Sequence, residues 1–345
     1  MTKGDPLDHV SLSPSPPADR PSVAGPSTAL VLGHPATSVT EALALGVELA
    51  ALGAVPGDGS TRDQWEALAT VAARDLGAAR ALEPHLDAVS ILREAGSDVP
   101  AGTWGVFAAE GGDEPLTAVD AGGSWSLTGV KPWCSLADRL DRGLVTASVG
   151  NGERRLFDVA LSDPGVSVLA GAWAARGLIE IPSGPVRFDA VSAEPVGAPG
   201  WYLERPGFAW GGLGVAACWY GGAVGIGRTV YDAAASKPNP HLLTHLGAID
   251  ELLQSARRAL AEAGDLVDAR ADGGRLLAKR TRATVARVCE EVIERAGHAL
   301  GPAPLALDEA HAKRVADLTL YVRQHHAERD QQSLGETVVS EPVPW

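Results

Sequence analysis

The sequence is short of cysteine, and its cysteines form no recognisable pair. Among 345 residues only three are cysteine, Cys134, Cys218 and Cys289, and they are far apart in the chain. An odd number of widely spaced cysteines in apolar stretches indicates buried free thiols rather than a disulfide framework. We therefore expect the protein to work in a reducing, cytoplasmic compartment.

Positive charge and long apolar runs are also scarce. The chain has 29 Lys and Arg residues against 43 Asp and Glu residues, a net charge of −14. Because nucleic-acid binding draws on an excess of positive charge, we expect no nucleic-acid partner. No apolar run reaches the length of a membrane span, and the first 26 residues lack the apolar core of a signal peptide.

Proline and serine are concentrated in residues 1–38, which predicts a disordered tail. From residue 39 to residue 100 the apolar residues recur with helical spacing, and Thr61 with Gln64 matches a capping pair. This stretch is therefore predicted to be a helical N-terminal domain.

The apolar period changes to two between residues 101 and 205, where glycine pairs separate the apolar runs. We predict a mostly antiparallel β-domain with six strands, Thr103–Ala109, Ser124–Lys131, Gly143–Val149, Arg154–Leu161, Val166–Leu169 and Pro185–Asp189. Helical spacing returns in residues 206–336 and predicts a C-terminal four-helix bundle, followed by a tail at 337–345. Because strands and helices do not alternate, the fold class is α+β rather than doubly wound α/β.

Three segments carry a resemblance to a known family. They are Ala109-Glu-Gly111, Leu127-Thr-Gly-Val-Lys-Pro-Trp-Cys-Ser135 and Asp317-Leu-Thr-Leu-Tyr321, the last within the final predicted helix, Asp308–Leu334. With the order of domains, they resemble the acyl-CoA dehydrogenase family over residues 40–335. The resemblance implies FAD held between a central β-barrel-like domain and the four-helix bundle, in a homodimer or homotetramer.

The resemblance also implies cofactor-binding residues. Trp133 and Ser135 match the family's tryptophan and hydroxyl residue at the flavin ring, where a hydroxyl can donate to the nitrogen that receives hydride. Lys237, His298 and Gly301 match positions that contact the flavin of a neighbouring subunit, although Lys237 replaces an arginine and His298 a glutamine. Structural alternatives are a core aromatic for Trp133, a turn hydroxyl for Ser135 and a helix C-terminal histidine for His298.

The family's catalytic glutamate is missing. His325 stands in its place, on the apolar face of the predicted last helix, four residues after Tyr321. An imidazole, with an unperturbed pKa of about 6.5, suits proton abstraction at neutral pH, so His325 is our candidate catalytic base. The alternative is that His325 and His326 form a solvated pair at a polar helix end.

Glycines between Gly221 and Gly227 in the first bundle helix permit two interpretations. The resemblance implies that they let flavin and acyl chain approach the backbone, whereas small residues also allow tight contact between helices. The sequence leaves both open.

We expect an enzyme, an FAD-dependent oxidoreductase that resembles acyl-CoA dehydrogenases and transfers hydride from an acyl-CoA or related substrate, acting on a CH–CH group. The missing glutamate leaves two alternatives, a flavin-dependent monooxygenase on the same fold and a catalytically silent partner subunit. The histidines match no metal-binding pattern, and no nucleophile-elbow sequence occurs.

Overall fold

The computed structural model describes residues 9–14, 24–169, 171 and 173–340. Helices come first along the chain, strands follow, and helices return, as predicted. Within the described residues, four helices precede the sheet: α1 Pro26–Gly33, α2 Val39–Ala51, α3 Thr61–Arg74 and α4 Leu76–Glu94. Ser38 caps α2 by accepting from the N–H of Glu41, and Asp75 caps α4 by accepting from the N–H of Ala78.

The prediction of a disordered N-terminal tail is wrong for the described residues 9–14 and 24–38. Leu12 is buried, and its N–H donates to Glu66 Oε1 at 2.7 Å. The N–H groups of Ser27 and Thr28, at the start of α1, donate to the carboxylate of Asp63. Carboxylates on α3 therefore accept hydrogen bonds from the backbone of this segment. Amino-acid composition alone cannot reveal such contacts. Residues 1–8 and 15–23 lie outside the described residues.

Seven strands form one sheet: β1 Trp104–Phe107, β2 Thr117–Asp120, β3 Trp125–Lys131, β4 Arg142–Gly150, β5 Glu153–Ala160, β6 Val166–Val168 and β7 Val186–Val196. The pairings run β4, β2, β3, β7, β5 and back to β4, so they close into a ring. β1 and β2 pair with β4 in parallel, and the remaining pairs are antiparallel. The sequence analysis missed β2, which buries only Ala118.

An irregularity separates the two halves of β3. Its register against β7 shifts between Leu127 and Gly129, and Gly129 has φ +126°. A Cβ at Gly129 would lie 2.6 Å from the carbonyl oxygen of Pro115, so only glycine fits. The partner strand has its own irregular residue, Ala190, with φ +50°. The predicted strand ended at Asp189, directly before this residue, whereas β7 continues to Val196.

In the part of the chain described after the sheet, up to residue 340, there are seven α-helices: α5 Trp201–Glu204, α6 Pro206–Ser236, α7 Pro240–Asp268, α8 Gly274–Leu300, α9 Pro302–Leu307, α10 Glu309–Tyr321 and α11 Glu328–Ser340. α6 is central, because it packs against α3, α7, α8 and α10. The core is continuous from the first helices through the sheet to these helices.

The prediction of one last helix over Asp308–Leu334 is wrong. α10 ends at Tyr321, a 3-10 turn covers Val322–Gln324, and the backbone of His325 is extended. The left-handed Ala327 then precedes α11, which continues to Ser340, so residues 337–340 are helical rather than a tail. Residues 341–345 lie outside the described part of the chain.

The glycines of α6 serve helix packing. A Cβ at Gly221 would overlap the carbonyl oxygen of Ala69, and one at Gly225 would lie 2.6 Å from that of Ala73. Both carbonyls belong to α3, so the α3–α6 contact occupies the space next to these glycines.

The three cysteines are free and buried, as predicted. Of the helices that the structure describes, none combines the length and apolarity needed to cross a membrane.

Candidate functional site

The segment Trp133–Leu136, which follows β3, has a strained backbone. Trp133 and Leu136 both have left-handed conformations, with φ of 60° and 57°. Such a conformation costs a bulky residue about 1–2 kcal/mol and persists only where the surroundings fix it. Here the N–H groups of Cys134 and Leu136 donate to the carbonyls of Gly184 and Pro182, both at 2.9 Å. These two bonds hold the segment in place.

The indole of Trp133 is 62% exposed. Its ring contact is with Trp173, edge to face, with centroids 6.4 Å apart. The structural alternative of a core aromatic is therefore wrong. Large aromatic side chains are usually well buried, so an indole held open by a strained backbone is unusual.

The loop that carries Trp173 is anchored to α10. Asp317, in α10, accepts a 2.6 Å hydrogen bond from the N–H of Leu178, and Lys313 pairs with the same carboxylate at 2.7 Å. The indole N–H of Trp173 in turn donates to the carbonyl of Leu178 at 3.1 Å. Gly177 permits this close approach, because a Cβ there would overlap the carbonyl of Ala316. Asp317, one of the residues of the resemblance, thus has a structural role.

Ser135 is only 8% exposed, and its hydroxyl has two hydrogen-bond partners. Arg80 Nη2 donates to Ser135 Oγ at 3.0 Å, and Ser183 Oγ lies 2.7 Å away. Because Ser183 Oγ donates its one proton to the carbonyl of Ile181, the Ser135 proton points to Ser183. Donation to a bound flavin would require the Ser135 proton to turn away from Ser183.

A charged pair that the sequence analysis missed lies beside Ser135. Arg80 Nη1 lies 3.8 Å from Oε2 of Glu83, one turn further along α4. Burial raises the pKa of Glu83 to about 7, with Arg80 opposing and Asp87 reinforcing the shift. The sequence shows these two residues as charges inside an alanine- and leucine-rich helix. Nothing in it connects them with Ser135, which lies 55 residues after Arg80.

Aromatic side chains fill the interior behind this pair. The Arg80 guanidinium lies 5.6 Å from the ring centroid of Tyr321, and Tyr321 contacts Trp219 edge to face at 6.3 Å. Arg282, from α8, lies over the Trp219 ring at 4.6 Å. A cavity lined by Arg80, Ser135 and Trp104, among others, has a volume of only about 10 Å³. That is room for roughly one water molecule and not for an acyl chain.

His325 interacts with Arg282, the residue that lies over the Trp219 ring. It is 8% exposed, and its Nε2 is 4.0 Å from Oδ2 of Asp330. Burial lowers the pKa of His325, with Asp330 opposing and Arg282 reinforcing the shift, so the imidazole is neutral at pH 7. Arg282 also donates to the carbonyl of Gln324 at 3.2 Å, which connects His325 with the aromatic layer. The placement on a continuous helical face is wrong, because His325 follows a 3-10 turn.

His326 differs from His325. Its side chain is more than half exposed, and its Nδ1 lies 3.5 Å from Oδ1 of Asp330. The alternative of a solvated pair therefore describes His326 but not the buried His325.

Lys237, His298 and Gly301 lie at or near the C-terminal ends of α6 and α8. Lys237 follows the last residue of α6 and is exposed. His298, exposed near the end of α8, has its ring 5.8 Å from that of His245, and Gly301 ends α8 with φ 67°. Lys237 is 18 residues beyond Trp219 in α6, roughly 27 Å at 1.5 Å per residue. One chain therefore does not bring these residues to Ser135, and their contact with a partner's flavin stays a prediction.

Two other residues of the resemblance tie strands together. Lys131 is 1% exposed, and its Nζ donates to Glu110 at 3.0 Å and to the carbonyl of Thr146 at 2.7 Å. Burial lowers the pKa of Lys131, and Glu110 opposes that shift. This network links β3 to β4 and fixes the start of the Trp133–Leu136 segment.

No protein-family model matches the chain, and no curated protein matches it by sequence. Solved structures do match its fold. KijD3, solved in complex with FMN and dTDP-3-amino-2,3,6-trideoxy-4-keto-3-methyl-D-glucose, is 19% identical, with a TM-score of 0.77 over 94% of this chain and 97% of that one.

Two further structures show the same likeness. TdsC from Paenibacillus sp. A11-2, a dibenzothiophene monooxygenase solved with FMN and indole, is 18% identical, with a TM-score of 0.75 over 92% of this chain and 98% of its own. A structure of the electron transferring flavoprotein of Acidaminococcus fermentans gives 14% identity and a TM-score of 0.78 over 91% of this chain and 96% of that one. The likeness shows a shared fold and confirms the predicted α+β order, helices, sheet, helices.

Proposed function

We propose that this protein is a flavin-dependent oxidoreductase that packs the flavin ring against Trp133 and acts as a monooxygenase on a small organic substrate. The observation that carries the proposal is the exposed indole of Trp133, held in a left-handed backbone beside Ser135 and Arg80. When bound and reduced, a flavin supplies the two electrons and two protons with which dioxygen gives one oxygen atom to a substrate and the other to water.

The residues present fit a flat, anionic cofactor. Trp133 offers an indole for stacking, and Arg80 brings a guanidinium next to the Ser135 hydroxyl at the same place. In this role Trp133 binds the ring, Arg80 balances its negative charge, and Ser135 holds a polar edge. Because its own proton points to Ser183, the Ser135 hydroxyl can accept a hydrogen bond from the flavin more readily than it can donate one.

FMN is the flavin that we propose. KijD3 and TdsC were both solved with FMN, whereas FAD is implied only by the family resemblance. FMN lacks the adenine half of FAD and so does not need Lys237, His298 and Gly301. In the homodimer or homotetramer that the resemblance implies, these residues would face a partner's cofactor. Tighter binding of FAD than of FMN would indicate that arrangement.

A monooxygenase fits this site better than an acyl-CoA dehydrogenase. The carboxylate that removes a proton from the thioester in the family is missing here, because His325 stands in its place. TdsC, which shares the fold, is a monooxygenase. In this proposal the neutral imidazole of His325 accepts or returns a proton at Nε2 when substrate is oxidised.

The closed cavity also supports a second candidate, a catalytically silent protein that binds no flavin. Equilibrium dialysis against FMN and against FAD separates the two candidates. The monooxygenase candidate requires saturable flavin binding. It also requires that, with chemically reduced FMN and isotope-labelled dioxygen, the labelled oxygen appears in an added aromatic substrate such as indole. Binding of neither flavin would favour the silent protein and contradict the proposed function.

A further inference from the structure

Arg80 and Glu83 lie one turn apart on α4, where that helix meets the Trp133–Leu136 segment. Arg80 contacts Ser135 Oγ with Nη2 at 3.0 Å and Glu83 with Nη1 at 3.8 Å. Both side chains are largely buried, with 14% and 9% of their surfaces exposed. A single guanidinium therefore connects a buried carboxyl group with the hydroxyl of the proposed flavin site.

Charged and titratable groups from several elements face Glu83. Two of them favour its carboxylate, Arg80 on α4 and Arg282 from α8, and Asp87 on α4 disfavours it. Asp87 has its own cation, because Arg205 Nη2 lies 3.7 Å from its Oδ1. The other groups with an electrostatic interaction with Glu83 are neutral at pH 7, namely Tyr202 in α5, Cys218 in α6 and Tyr321 in α10.

The two protonation states of Glu83 leave different charges beside Ser135. As a carboxylate, Glu83 neutralises Arg80 across 3.8 Å in a site with little water. As a neutral acid, it leaves the guanidinium as an uncompensated positive charge. The Arg80–Ser135 hydrogen bond requires no change between the two states, because Nη2 makes it and Nη1 faces Glu83.

We propose that Arg80 is the positioning residue of the flavin site and that protonation of Glu83 switches the net charge of the pair from neutral to positive. Arg80 orients the Ser135 hydroxyl, and the switch favours the reduced flavin, which carries negative charge at neutral pH. This inference rests on the proposed function, since it needs a flavin at Trp133.

The test compares the affinity of the protein for oxidised and for reduced FMN across pH, by anaerobic titration. For the wild-type protein, the ratio of the two dissociation constants should change on the order of tenfold between about pH 6 and about pH 8. This change is counted beyond the one that free FMN shows over the same range. Reduced FMN should bind more tightly, relative to oxidised FMN, at the low-pH end. Glu83→Gln, which is permanently neutral, should keep the low-pH ratio throughout.

Further variants separate positioning from folding. Arg80→Gln removes a cation that favours the Glu83 carboxylate, so it should move the pH dependence to higher pH, and Arg80→Lys, which keeps the charge, should move it less. Glu48→Gln, which removes an exposed carboxylate on α2, should behave as wild type. FMN binding with the same pH dependence in wild type and Glu83→Gln would overturn this inference alone. Absence of FMN binding would overturn it together with the proposed function.

Discussion

The backbone N–H of Leu178 donates to Oδ1 of Asp317 at 2.6 Å, and this bond links α10 to the loop that carries Trp173. Because Trp173 packs edge to face on Trp133, a carboxylate in a C-terminal helix supports the exposed indole of the sheet domain. The candidate site is thus built where the sheet, α4 and α10 meet, and its parts come from distant stretches of the chain.

Replacing Asp317 should therefore weaken both the fold and the loop. Asp317→Ala leaves the N–H of Leu178 without its acceptor, whereas Lys313 keeps Glu180 at 2.7 Å and Asp75 at 3.2 Å. We therefore expect a loss of about 1–3 kcal/mol, the cost of one unsatisfied buried hydrogen-bonding group. Urea denaturation measures the effect, with the exposed Asp272→Asn as control. Equal stability of the two variants would contradict the anchoring role.

Replacing a glycine by alanine should change the stability of the protein in opposite directions at Gly221 in α6 and at Gly247 in α7. At Gly221 a Cβ meets the backbone of Ala69, so Gly221→Ala should destabilise the protein by about 1–3 kcal/mol. At Gly247, an exposed position of α7 with no atom within 4 Å of a Cβ, alanine should stabilise by up to about 1 kcal/mol. Thermal unfolding of both variants is the measurement, and a stable Gly221→Ala would refute the α3–α6 packing.

Glu83 should make stability depend on pH. Its pKa is raised in the folded state to about 7 from an ordinary value of 4.5, so the folded protein holds this proton more tightly than the unfolded chain does. The contribution of Glu83 to the free energy of unfolding is therefore fully present below pH 4.5 and is lost as the pH rises through about 7. Wild type should therefore lose stability relative to Glu83→Gln between about pH 5 and about pH 8. A constant difference in unfolding free energy across that range would show that Glu83 does not titrate there.

His325 and His326 should differ in their effects on turnover. His325 is buried with a lowered pKa, whereas the side chain of His326 is more than half exposed. His325→Gln should leave FMN binding unchanged while lowering oxidation of substrate by about 10²-fold or more, the effect of losing a proton-transfer group. His326→Gln serves as the control and should retain activity. Equal activities of the two variants would remove His325 from the reaction.

Periodicity in the sequence predicted the order of domains and most elements, because buried faces repeat every two or every 3.6 residues. It failed where polar groups rather than apolar spacing fix the backbone. Glu66 binds the N–H of Leu12 in the presumed tail, and Asp330 accepts from the N–H of His326 where the last helix was expected to continue.

The site was predicted only in part, for a related reason. Trp133 and Ser135 lie in a continuous segment with a recognisable order of residues. Arg80 and Glu83 reach Ser135 only through the packing of α4 on the sheet domain, which no local pattern encodes. The predicted helical position of His325 failed because α10 ends four residues earlier, at Tyr321.

The affinity of the protein for FMN with and without Trp133 tests the central claim most directly. Trp133→Ala should retain the fold, because the side chain is exposed, but should weaken FMN binding about tenfold through lost stacking. Leu307→Ala, a matched truncation of an exposed side chain on α9, should bind FMN as wild type does. Fluorescence titration with FMN measures all three proteins. Equal dissociation constants for wild type and Trp133→Ala would contradict the placement of a flavin at this site.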